Sequence, residues 1–121
     1  MTALQCSYLG DAYYELLIRD RVIKSGVVGL ASLHKKVTQY TSAIGQCLIM
    51  KYLVEHEILT EEEMSVYQNG KNAIKHTKKN VDIKNYIEAS GLEALFGYLF
   101  INNTKRAEEL VNLVINDIIK L

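Results

Sequence analysis

The chain has 121 residues, 49% of them hydrophobic, which predicts one compact domain over residues 1–121 that buries about two-thirds of its unfolded surface. Fourteen Lys and Arg balance fourteen Asp and Glu, so net charge is excluded as a source of nucleic-acid affinity and only local charge placement is left. Cys6 and Cys47 lack the spacing of a zinc site or disulfide framework, no run approaches the roughly 18 apolar residues of a membrane span, and Met1 leads into an amphipathic stretch without a basic leader. The expectation is a soluble, cytoplasmic protein with reduced thiols.

Proline is absent, and apolar residues recur with the 3.6-residue period of helices rather than the alternation of strands. The fold class predicted is all-α, with about six helices. The first runs from Ala3 to Lys24 and stops at Ser25-Gly26, a glycine stop signal. It carries Asp11, a carboxylate inside an apolar pattern, directly after Gly10. A charge at the edge of a core costs several kcal/mol, on the order of what pairing or a cation must return. A glycine inside a helix costs about 0.5 to 1 kcal/mol and is commonly offset by close approach of another backbone.

Ser32 is expected to cap a second helix reaching Tyr40, with the basic cluster His34, Lys35 and Lys36 near its start. A third helix, Thr41 to Glu57, is expected to turn Ile44, Cys47, Leu48, Tyr52 and Leu53 inward. Thr60-Glu61-Glu62-Glu63 has the form of a capping box for a fourth, and the acids from Glu55 to Glu63 read as a solvated face. Gln68 to Asn80 reads as a loop with four lysines, one histidine and no acid, a local charge asymmetry suited to phosphate oxygens.

Asp82 is expected to cap a fifth helix reaching Ile101. Within it Ala89, Ser90, Glu93 and Gly97 share a face, so Glu93 sits on a stripe of small residues. A crossing of that stripe with the Gly10-Asp11 face would join Asp11 and Glu93 across 82 positions of sequence. The last helix, Thr104 to Lys120, carries Ala107, Leu110, Val111, Val114, Ile115 and Ile118 on one side and reads as a packing element.

Leu9-Gly10-Asp11-Ala12 with the following Tyr-Tyr-Glu-Leu resembles the signature helix of the ribonuclease III catalytic domain, and Glu93-Ala94-Leu95-Phe96-Gly97-Tyr98 resembles its second acidic motif. Leu33-His34-Lys35, Ser42-Ala43-Ile44-Gly45-Gln46, Thr60-Glu61-Glu62-Glu63 and Gly70-Lys71-Asn72-Ala73 are similar, in the same order, to segments of its Mini-III branch, whose members lack a double-stranded-RNA-binding domain. The resemblance implies an all-helical bundle, an endoribonuclease that dimerises through the signature helix and hydrolyses double-stranded RNA with Mg²⁺, for which Mn²⁺ can substitute. It implies precursor 23S ribosomal RNA as substrate; without an accessory RNA-binding domain affinity is expected to be modest and salt dependent, so a ribosomal protein on the precursor is expected to help present it.

Carried over by position, Asp11 and Glu93 are the catalytic, metal-binding acids, with Glu15 one turn beyond Asp11 as a further carboxylate near the metal. Where longer family members carry acids, this chain has Leu4, Ser7 and Ser90, and the reduced set points to one well-held cation. His34, Lys35, Lys36, Lys71, Asn72, Lys75, Lys78 and Lys79 are the candidates for RNA contact, read by shape. The competing reading is a catalytically reduced helical module that binds RNA or ribosomes.

Overall fold

The structure, a computed structural model, describes residues 1–74 and 81–121. Among these the chain forms six helices and no strand: α1 (Ala3–Lys24), α2 (Leu30–Thr41), α3 (Ala43–Glu55), α4 (Glu61–Asn72), α5 (Val81–Asn102) and α6 (Thr104–Leu113), the last running into a π-helical turn, Val114–Ile118. The order and most boundaries follow the sequence pattern. No helix among the described residues is long and apolar enough to cross a membrane.

Local chemistry explains the ends. Thr2 and Gln5 close a capping box at the start of α1, although Thr2 carries no special signal in the apolar pattern. Thr60 Oγ1 accepts from the Glu63 amide at 3.1 Å while Glu63 Oε1 accepts from the Thr60 amide at 3.0 Å, the reciprocal cap expected of that segment. At α2 the expectation fails. The helix starts at Leu30 after Gly29, whose φ of 95° only glycine adopts without strain, so Ser32 lies inside the first turn and caps nothing. Helix α5 begins at Val81, which puts Asp82 within the helix rather than ahead of it.

Two further expectations are corrected by packing. The buried residues of α3 are Gly45, Gln46, Ile49, Met50 and Leu53, while Ile44 and Leu48 are 68% and 52% exposed. The helix is apolar on both sides, so the side that faces the core is decided by where the small Gly45 allows α2 to approach: a Cβ there would lie 2.2 Å from the Gln39 carbonyl oxygen. In the segment 68–80, Gln68 to Asn72 continue α4 instead of opening a loop. Gly70, inside that segment, is a packing glycine whose Cβ would lie 2.5 Å from Ala94 Cβ on α5.

Helix α5 is the central element, buried around most of its circumference from Ala89 to Leu99 and packed by α1, α3 and α4. Tyr14 of α1 meets Phe96 edge-on at 4.9 Å and donates its hydroxyl to the Tyr40 carbonyl at 2.8 Å, tying α1, α2 and α5 together. Glu63 is not part of a solvated face. It is 5% exposed and receives the Arg106 guanidinium of α6 at 2.8 and 3.0 Å, and Arg106 also donates to the Ile58 carbonyl at 2.9 Å. Burial alone would raise the Glu63 pKa, but the hydrogen bonds from Arg106 and Thr60 outweigh it and hold the carboxyl below its ordinary range.

Candidate active site

The site begins with two glycines. A Cβ on Gly10 would lie 1.6 Å from the Glu93 carbonyl oxygen, and one on Gly97 would lie 2.0 Å from the Cys6 carbonyl oxygen. Helices α1 and α5 therefore touch backbone to backbone, a contact that no residue with a side chain permits. Ser7 and Ser90 complete the seam: the Ser7 hydroxyl donates to the Ser90 carbonyl at 3.0 Å in the buried interface. Both serines stand where the resemblance places acids in longer proteins, and here both are buried.

This seam brings Asp11 and Glu93 together. The buried arc of α1 runs through Ser7, Gly10, Tyr14 and Ile18, and Asp11 falls just outside it, exposed at the rim rather than buried. Glu93 is half-buried opposite. Its pKa is pushed up to about 7, first by burial and then by the Asp11 charge; the hydrogen bond that protonated Glu93 donates to Asp11 adds to the rise, and the Gln46 side chain opposes it. Two carboxyl groups thus share one partly dry corner, where holding both as anions is costly without a counter-charge.

Nothing in its residue type marks Gln46 as a site residue, since a glutamine in an apolar helix reads as an exposed polar position. The structure buries it to 2% exposure. Its Nε2 donates to the Thr41 carbonyl at 3.0 Å, and its Oε1 has no hydrogen-bond partner among the described residues. The only sequence signal was its place in the Ser42-Ala43-Ile44-Gly45-Gln46 segment.

The other candidates are placed as follows. Glu15 pairs with Arg19 at 2.7 Å, and among the described residues no three His, Cys, Asp or Glu side chains gather as a cation cage, so Glu15 does not join Asp11 and Glu93 in one cluster. His34 and Lys35 are exposed early in α2, with Lys36 half-buried beside them. Lys71 sits in the last turn of α4, 3.1 Å from Glu88, 3.2 Å from the Tyr67 hydroxyl and over the Tyr67 ring. Asn72, exposed, ends that helix. Lys75, Lys78 and Lys79 lie outside the described residues.

Two carboxylates of opposed helices with a neutral oxygen nearby are a hard-oxygen donor set. Magnesium is held in such places by one or two carboxylates, its remaining positions being left to water and phosphate. The unpartnered buried Gln46 oxygen fits the same group, because a hydrated cation brings hydrogen-bond donors to a corner that otherwise lacks them.

A family model described as the ribonuclease III domain matches residues 4–104. The chain is 42% identical over 113 residues to a Mini-ribonuclease 3 of Acholeplasma laidlawii, covering 93% of this chain and 90% of that protein. It is 41% identical over 120 residues to a Mini-ribonuclease 3 of Enterococcus faecalis, covering 98% and 91%. A crystal structure of a Fusobacterium nucleatum protein shares the fold with a TM-score of 0.82 at 30% identity, covering 96% of this chain and 93% of that one.

Proposed function

We propose, from the premise that this chain belongs to the ribonuclease III family and is an endoribonuclease of its Mini-ribonuclease 3 branch, that Asp11 and Glu93 are the carboxylates with which it cleaves double-stranded RNA. The family acts on double-stranded RNA, generally depends on divalent cations and typically dimerises. The observation that carries the site assignment is the glycine-mediated contact of α1 with α5, which sets Asp11 beside Glu93. In this reading residues 1–121 form one catalytic domain that acts in the cytoplasm on precursor 23S ribosomal RNA, and a ribosomal protein aids presentation.

Asp11 and Glu93 would hold Mg²⁺, or Mn²⁺ in its place, and the cation's contribution is to activate water and neutralise charge on the phosphate during in-line displacement. The chain's own residues do the positioning. Gly10 and Gly97 fix the separation of the two helices, and the Gln46 side chain favours the ionised form of Glu93. Asp11, at the rim, faces the side from which a duplex approaches. The exposed His34, Lys35 and half-buried Lys36 supply positive charge for phosphates, with Lys75, Lys78 and Lys79. Lys71 and Asn72 complete the set at the end of α4, where Lys71 reaches a phosphate by exchanging its Glu88 contact.

The test is cleavage of a structured RNA duplex with Mg²⁺. Chelation should abolish it. Asp11→Asn and Glu93→Gln should each lower the rate by more than about 100-fold, since loss of even an outer partner of a metal ligand costs roughly 10- to 100-fold. Full activity in both variants, with the fold retained, rejects the site; duplex binding by the unaltered protein without cleavage would favour a catalytically reduced RNA-binding module instead.

A further inference from the structure

Gln46 is the one buried side chain among those described that retains an unpartnered polar atom. Its amide is fixed in orientation. The Thr41 carbonyl can only accept a hydrogen bond, so the nitrogen must face it, at 3.0 Å, and the oxygen cannot take its place. The same side chain lies beside the Glu93 carboxyl and favours its ionised form. The free Oε1 therefore belongs to a small planar group held between the α2–α3 corner and Glu93.

That corner is built rigidly. Ser42 Oγ accepts from the Gly45 backbone amide at 3.1 Å, the Gln46 backbone amide donates to the Ser42 carbonyl at 2.9 Å, and Gly45 packs its backbone against the Gln39 carbonyl. Satisfying the Thr41 carbonyl uses the Gln46 nitrogen alone and gives no reason to bury the oxygen unpaired. A buried acceptor without a donor is unfavourable, so its presence calls for a donor that arrives with a ligand.

We propose that Gln46 is the third oxygen of the cation site: its amide nitrogen is anchored to the Thr41 carbonyl, and its Oε1 accepts hydrogen bonds from the water shell of the bound divalent cation. The assignment rests on Asp11 and Glu93 being the cation's carboxylates. It gives the site a neutral donor in a region where longer family members carry more acids, and it makes Gln46 a positioning residue that matters before any RNA is bound.

The experiment is Mn²⁺ titration of the RNA-free, full-length protein by electron paramagnetic resonance, together with thermal melting in chelator. Asp11→Asn serves as the control. If it binds Mn²⁺ as tightly as the unaltered chain, the carboxylate site itself is wrong, whatever Gln46 does. With that control passed, Gln46→Met should weaken Mn²⁺ binding about tenfold and leave the metal-free Tm close to that of the unaltered chain, because removal of the orphan oxygen offsets loss of the hydrogen bond to Thr41. Mn²⁺ affinity equal to that of the unaltered chain overturns the proposal. If Gln46→Met lowers both affinity and metal-free Tm, Gln46→Glu decides: tighter Mn²⁺ binding supports an oxygen facing the cation, and unchanged or weaker binding shows that the residue only braces the Thr41 corner.

Discussion

Glu93 carries the chemical tension of the molecule. Burial and the Asp11 charge favour its protonated form in the folded state, with a pKa of about 7. A carboxyl whose folded pKa is raised contributes stability that is complete below its unfolded pKa, near 4.5, and is lost as pH rises through about 7. In chelator, the unaltered protein should therefore lose stability between those values, a trend that urea unfolding at several pH values reads directly. Glu93→Gln should flatten it, and a divalent cation should reverse the preference by favouring the carboxylate. The presence of Asp11 and Glu93 as a pair was legible in the sequence, because an acid beside a glycine and an acid on a small-residue stripe each need an explanation. Gln46 was not, since its burial depends on the α2–α3 corner and no local pattern encodes that corner.

At the scale of elements, the α1–α5 seam does most of the work. Backbone packed on backbone at Gly10 and Gly97 cannot be relieved by moving a side chain. Gly10→Ala and Gly97→Ala should each destabilise the protein by about 3 kcal/mol, the upper end of ordinary overpacking costs, as measured by urea denaturation. Destabilisation below about 1 kcal/mol would mean that the helices can part and that the separation of Asp11 from Glu93 is not fixed by them. Helix starts marked by side-chain caps were legible at Thr60, whereas Ser32 misled at the start of α2 and the polar run from Gln68 misled at the end of α4. Glycine signals a turn, a cap or a close helix contact with the same letter, and only tertiary packing separates these. The exposed Ile44 and Leu48 on α3 mark a similar degeneracy, a helix apolar on two sides whose inward face is set by its neighbours.

For the whole molecule, the exposed apolar residues are the outstanding feature. Leu4, Tyr8 and Leu16 are 53%, 86% and 63% exposed along the outer side of α1, an arrangement costly for a lone chain and suited to the dimer that the family typically forms. Tyr8→Glu should shift the protein from dimer to monomer in sedimentation, while the monomer keeps its helical circular dichroism. A dimer undisturbed by that change would place the interface elsewhere than α1. The all-helical architecture itself was readable from periodicity and the absence of proline, since each helix presents enough apolar surface to announce itself.

The central claim, that Asp11 and Glu93 jointly hold a divalent cation, is tested most directly by anomalous diffraction from crystals soaked in Mn²⁺. The account predicts a peak between the two side chains, with carboxylate oxygens from both at about 2.1 Å, and Glu15 still paired with Arg19. A peak that engages only one of them, or none at that corner under saturating Mn²⁺, would contradict it.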